Sequence, residues 1–117
     1  MKVEKEHVQY DYDMFCFAVN NMEACVPQPI LFNMLNTVAA VHSYNLLSYS
    51  AEYLGALPYD MDELNFIHTY SHKVEDQLLS LTPKRTAKFE EKLKDVDFIK
   101  MRDILRKHKD ALGVVDK

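Results

Sequence analysis

Basic residues are missing from most of the first two thirds of the chain. No Lys or Arg stands between Lys5 and Lys73. Residues 1–82 carry three basic and eleven acidic side chains, a net charge of −8, whereas residues 83–117 carry eleven basic and seven acidic ones, a net charge of +4. Such a split is typical either of a buried front half beside a solvated rear half, or of two surfaces of opposite sign, one of which meets a partner.

Cysteine and glycine are also scarce. Two cysteines, Cys16 and Cys25, do not make the disulfide framework of a small secreted domain, so we expect two reduced and mostly buried thiols. No basic residue stands close to either in the sequence, and neither is expected to be an activated nucleophile. The only glycines, Gly55 and Gly113, are isolated, which excludes a glycine-rich loop that would hold a phosphate.

No long apolar run is present. The longest uncharged stretch, residues 24–51, is interrupted by two prolines and by Asn and His side chains. It therefore lacks the roughly 18 consecutive apolar residues of a membrane span. The first ten residues also lack the basic, then apolar, then small-residue order of a signal peptide. We expect a cytoplasmic protein that has no membrane association.

Hydrophobic periodicity predicts an all-α fold. An apolar content of 48% in 117 residues is enough for one packed core, so residues 1–117 are expected to form a single helical-bundle domain. The architecture we predict is a small antiparallel bundle of four to five helices. The expected helices cover about residues 11–24, 29–54, 60–81, 83–94 and 98–112. For residues 8–14 a strand is the alternative prediction, because apolar and polar side chains alternate along this segment.

Helix ends are marked by their capping residues. Pro29 suits the first position of a helix, where its missing N–H group costs nothing. Asp60 and Glu63 have the spacing of a capping box. Asp95 or Asp97 is expected to cap the last helix, and Gly113 to end it.

The helix over residues 29–54 carries no charge until Glu52. Its predicted inner stripe is Leu31, Leu35, Val38, His42, Leu46, Tyr49 and Tyr53. A solvent-facing helix normally carries charges opposite its apolar stripe. This helix is therefore expected either to be the central one or to use its second face in a homo-oligomer.

A histidine cluster is the first candidate for chemistry. His68 and His72 lie four residues apart and thus on one face of a helix, which Glu75 extends by a turn. Antiparallel packing could bring His42 of the preceding helix opposite them. Three imidazoles and a carboxylate would suit zinc or iron in a bundle, which makes a metal-dependent enzyme the alternative function.

A second candidate lies near the C-terminus, in the stretch from Arg102 to His108. An Arg followed by a His after four to six residues resembles the motif of the HEPN helical ribonucleases, which are small all-α dimers. The resemblance implies that Arg102 and His108 act on a scissile phosphate and its 2′-hydroxyl. It covers only seven residues, and six residues of helix leave the two side chains about 120° apart. Nucleic acid is also disfavoured as the main ligand by a pI of about 5.7 and by the scatter of the basic residues around the helix.

Tyrosine and aspartate share the stretch that lacks basic residues, and tyrosine is enriched where surfaces bind. The sequence thus favours a non-catalytic interaction module without a cofactor, self-associating through helix 29–54 and presenting an acidic, Tyr-rich surface to a basic protein partner. Small acidic bundles of this kind are also associated with phage-type inhibitors and adaptors. The predicted partner-binding residues are Tyr10, Asp11, Tyr12, Asp13, Tyr59, Asp60 and Asp62.

Overall fold

A computed structural model describes residues 5–25, 27–53, 59–79 and 97–116. The helices in these ranges are α1 (Lys5–Met22), α2 (Pro29–Tyr53), α3 (Met61–Leu79), α4 (Phe98–Lys107) and α5 (Lys109–Leu112), with a short 3₁₀ turn at Glu23–Cys25. They pack as a small all-α bundle, which confirms the predicted fold class. Of the helices described, none is long and apolar enough to cross a membrane. The helix predicted over residues 83–94 lies outside the described residues.

Residues 8–14, for which a strand was the alternative prediction, belong to helix α1. The helix begins at Lys5, six residues before the predicted start at residue 11. Val8, Tyr12, Phe15 and Val19 are all buried, at helical spacings of four and three. The alternation of residues 8–14 was misleading because Tyr10 is an apolar side chain that faces solvent, with 58% of its surface exposed. Four buried positions on one face hold α1 against the rest of the bundle.

The predicted caps are confirmed. Helix α2 begins at Pro29. At the start of α3, the Glu63 N–H donates to Asp60 Oδ1 at 2.8 Å, and the Asp60 N–H donates back to Glu63 Oε1 at 3.0 Å. Asp97, rather than Asp95, accepts from the Lys100 N–H at the start of α4. Gly113 follows α5 with a φ of 74°, the left-handed conformation that glycine adopts without strain.

Small side chains form the buried face of α2. The fully buried positions are Asn36, Ala39, Ala40, Ser43 and Leu46. Alanine and serine allow neighbouring helices to approach closely, and α2 contacts both α1 and α3. The predicted inner stripe is confirmed in part: Leu46 is buried, and Leu35 and Val38 pack against the core, but Leu31 is 44% exposed. The side chains of Tyr49 and Tyr53 lie outside the described ones.

Aromatic rings join the remaining helices at the centre of the core. The Phe98 ring of α4 lies 6.3 Å from the Phe15 ring of α1 and 5.8 Å from the Tyr70 ring of α3. All three side chains are buried, and so is Met101 one turn further along α4. Together with the buried face of α2, these side chains form one core, to which α1, α2, α3 and α4 all contribute.

The C-terminal residues bind back to the beginning of α1. The Gln9 side chain pairs with the backbone of Val115, donating to its carbonyl at 2.8 Å and accepting from its N–H at 2.9 Å. The Tyr12 hydroxyl donates to Asp116, and this hydrogen bond lowers the pKa of the Asp116 carboxyl. Val114 is buried between these contacts. The two ends of the described chain are therefore held together.

Candidate functional site

One side of α2 faces away from the bundle. At 100° per residue, six of the positions from 30 to 48 lie within about 40° of the direction opposite the buried Ala39. We call this set the outer face, and its residues are Ile30, Met34, Thr37, Val41, Tyr44 and Ser48. It spans 18 residue steps, or about 27 Å at 1.5 Å per residue.

The outer face is both accessible and uncharged. Ile30 is 78% exposed and Met34 is 60% exposed, while Thr37 and Val41 are half-buried. Tyr44 and Ser48 are also exposed. Solvent-facing positions of a surface helix usually carry charged side chains, because water solvates them at little cost. The unusual feature of α2 is that it has no charged side chain before Glu52.

The spacing of the outer face is symmetric along the helix. Its six positions follow one another at intervals of four, three, four, three and four residues, which read the same in both directions. The midpoint of these positions along the helix axis is at the level of Ala39, whose own side chain faces the bundle. A second α2 helix running antiparallel would therefore place Met34 of one copy beside Tyr44 of the other, and Ile30 beside Ser48.

Three of the seven predicted partner-binding residues are buried, so the prediction of one acidic, Tyr-rich surface is wrong for them. Asp11, Tyr12 and Tyr59 are 4%, 1% and 7% exposed, so none of the three can meet a partner. Tyr12 and Asp11 belong to the inner side of α1, and the Tyr59 ring packs edge-on against His108 with their centroids 5.1 Å apart. Sequence reasoning placed these residues at the surface because Asp and Tyr are usually found there.

The other four predicted partner-binding residues are accessible but occupy two helices. Tyr10 is exposed, and Asp13, which is half-buried, accepts from the Gln9 amide at 2.7 Å. Asp60 and Asp62 are exposed at the start of α3, where Asp60 is the helix cap. The accessible predicted residues are thus two separate pairs, and the predicted seven residues do not form one continuous surface.

Asp11 and His42 form a partly buried polar contact between α1 and α2. His42 Nδ1 lies 2.6 Å from Asp11 Oδ1, and the Asn45 amide donates to the same oxygen at 3.3 Å. The Tyr10 ring covers His42 edge-on, with the two ring centroids 5.5 Å apart. Since an ionised carboxylate only accepts, the arrangement assigns the Nδ1 proton to His42. Its evident role is to pair two helices.

The predicted metal ligands are not brought together. The His68 and His72 rings lie 4.6 Å apart, as their spacing predicted, but both residues and Glu75 are exposed on α3. His42 instead faces α1 and pairs with Asp11. Among the described residues, no group of three or more His, Cys, Asp and Glu side chains could hold a metal ion.

Arg102 and His108 also have separate partners. Arg102 Nη1 donates to Asn20 Oδ1 of α1 at 2.6 Å, whereas His108 Nε2 lies 2.9 Å from Glu63 Oε1 of α3. The helix is interrupted at His108, between α4 and α5. His108 stands at this break and contacts α3. The two side chains that carry the resemblance to HEPN ribonucleases thus serve two different helix contacts.

Glu63 is the polar centre of the contact between α3 and the α4–α5 junction. Its carboxylate accepts from the Asp60 N–H and pairs with His108, and Lys107 Nζ lies 3.3 Å away. The Asp60 N–H and, after it, His108 and Lys107 lower the pKa of Glu63 from 4.5 to about 2. The sequence predicted the cap but offered no signal for the contact with His108, 45 residues away.

Replacing Glu63 by Gln is expected to remove part of the acid sensitivity of the fold. Because the pKa of Glu63 is lowered on folding, its charge stabilises the protein above about pH 4.5, and this contribution is lost as the pH falls toward 2. Gln keeps the capping box but loses the charge, so we expect a loss of about 1–2 kcal/mol near pH 7. Chemical denaturation across this pH range measures it; a variant as acid-sensitive as the parent would contradict the assignment.

Comparison with known proteins adds no further assignment. The chain matches no protein-family model, no curated protein and no solved structure.

Proposed function

We propose that the protein is a non-catalytic interaction module that associates with itself through the outer face of α2. The observation that carries this proposal is the exposure of Ile30, Met34 and Tyr44 on a helix side that has no charged residue between positions 30 and 48. Apolar surface removed from water contributes about 25 cal/mol per Å², and no charged group on this face would have to be desolvated first.

A second copy of the chain is the partner that the outer face fits best. A two-fold symmetric dimer pairs the same patch on both subunits, which requires a patch that complements itself. Two α2 helices that run antiparallel and cross at the level of Ala39 would place Met34 of each copy beside Tyr44 of the other, so that apolar surface meets apolar surface. A stable interface buries about 800 Å² on each subunit, so the contact must extend to flanking residues such as the exposed Leu31.

A basic protein partner remains a prediction. The residues that could contact such a partner are Tyr10, Asp13, Asp60 and Asp62, because the other three predicted residues are buried. No second function is proposed from the histidines, since within the described ranges they do not converge.

The test of self-association is the molar mass in solution. Sedimentation velocity or light scattering over a series of concentrations should show a dimer at micromolar concentration that dissociates on dilution. Raised salt should leave the dimer intact, because the outer face has no charges to screen. A monomeric mass at every concentration would refute the proposal.

A further inference from the structure

Two imidazole rings stand side by side on the solvent face of α3. His42 does not join them, so the predicted cluster of three histidines does not form, but His68 and His72 are a pair by themselves. Both are exposed, and their ring centroids lie 4.6 Å apart. Ile67 and Val74 of the same helix are buried in the core. The fold therefore holds the two histidines on the outside, where both rings are accessible to a dissolved ion.

One metal ion can reach both rings at this separation. A metal ion lies about 2.1 Å from an imidazole nitrogen that binds it, and hence about 3.2 Å from the centre of that ring. The centres of two such rings are about 4.5 Å apart when the angle at the metal is 90°, and about 5.2 Å apart when the angle is tetrahedral. The observed 4.6 Å matches the first value. The separation thus suits a square-planar or octahedral ion.

The helix fixes this separation before an ion binds. Residues four apart are neighbours on a helix surface, and two histidines at this spacing on one helix face hold a single zinc ion in known helical motifs. The two ring planes stand 87° apart. An exposed ring turns about its Cβ–Cγ bond within a broad energy well, which leaves its centre nearly in place. Binding therefore requires only that each ring turn one nitrogen toward the shared ion.

The charges near the pair also favour a cation. Glu75 and Asp76 follow His72 by three and four residues, so they lie on the next turn of the same face, and both are exposed. Lys73 is the only basic residue in α3. Two carboxylates thus stand against one ammonium group, and the local field attracts a dissolved divalent cation.

We propose that His68 and His72 bind one divalent transition-metal ion, with Cu²⁺ and Ni²⁺ preferred over Zn²⁺. Imidazole suits all three ions, tetragonal sites are typical of Cu²⁺ and Ni²⁺, and the affinity of nitrogen ligands is highest for Cu²⁺. No third His, Cys, Asp or Glu side chain joins the pair within the described part of the chain, so water occupies the other positions. The site is therefore open and exchangeable, unlike a closed structural zinc site with four protein ligands.

Nickel chloride is the probe for this site, because Cu²⁺ would also oxidise the half-buried Cys25 thiol. In amide-proton NMR spectra of the full chain, paramagnetic Ni²⁺ should broaden the resonances of residues 65–76 before any others. Titration calorimetry should saturate at one equivalent per chain. Zn²⁺ should compete for the same site but bind more weakly.

Three variants separate chelation by the pair from binding by single histidines. His72→Gln removes one ligand at an exposed position, so the fold should be kept while the Ni²⁺ affinity falls at least about tenfold. His7→Gln is the matched control, since His7 is exposed on α1 with no second histidine near it in the sequence, and it should bind like the parent. The double variant Thr69→His/His72→Gln restores two histidines to α3 but places them about 100° apart around the helix, so the affinity should stay low.

The melting temperature provides a second readout. Saturating Ni²⁺ should raise it by a few degrees in the parent, because the folded helix holds both ligands together and the unfolded chain does not. The double variant should show no such rise. The proposal is overturned if His72→Gln binds Ni²⁺ like the parent, if the double variant recovers the affinity, if His7→Gln loses as much affinity as His72→Gln, or if broadening begins outside α3.

Discussion

Replacement of Met34 by Lys is expected to convert the self-associated protein into a monomer. Met34 is 60% exposed in a single chain, so a lysine there remains hydrated and the fold is kept. In the proposed antiparallel dimer the same lysine would lie against Tyr44 of the second copy, where its charge has no partner. The symmetry places two such charges in each interface. Burial of an unpaired charge costs several kcal/mol, so the dissociation constant should rise at least about 100-fold.

The control for this variant is Thr69→Lys on α3. Thr69 is exposed and lies outside α2, so its replacement adds the same charge without touching the outer face. Thr69→Lys should dimerise like the parent, and both variants should keep the parent's helical circular dichroism. Asn45→Lys is unsuitable for the purpose, because Asn45 donates to the buried Asp11. If Met34→Lys has the same mass as the parent in sedimentation, the outer face is not the interface.

Replacement of Asp11 by Ala is expected to cause the largest loss of stability among these variants. Asp11 is 4% exposed, and its Oδ1 satisfies both His42 Nδ1 and Asn45 Nδ2. Without it, two partly buried polar groups of α2 lose their acceptor. Loss of one member of a buried polar network lowers the free energy of unfolding by about 3 kcal/mol. Denaturant titration at neutral pH measures this loss.

Two further variants separate the pairing role of Asp11 from its mere burial. Asp11→Asn retains an acceptor oxygen and should lose about 1 kcal/mol. The double variant with His42→Leu should lose clearly less than the sum of the single losses, because both changes remove the same contact. Asp62→Ala, at an exposed position, should change stability by only a few tenths of a kcal/mol. Strictly additive losses would show that Asp11 and His42 are not coupled.

The extents and ends of the helices were largely predictable from the sequence. Pro29, the Asp60–Glu63 pair and Gly113 act on backbone groups within a few residues of themselves, so their patterns reveal where a helix begins or ends. The absence of charge in residues 24–51 likewise revealed that α2 has an unusual surface. The start of α1 was missed because Tyr10 is an apolar residue on the solvent side, and periodicity does not distinguish it from a buried one.

The tertiary structure decided which polar residues are accessible and which ones meet. Asp11 and Tyr59 have the composition of a binding surface, yet the packing of α1 and of the α4–α5 junction covers them. His42 pairs with Asp11 and not with His68, and Arg102 meets Asn20, 82 residues away. Helical periodicity defines the faces of each helix but not which face of a neighbouring helix it contacts. Which faces meet depends on how closely side chains from distant parts of the chain can pack. Here the small residues of α2 allow α1 and α3 to approach it closely.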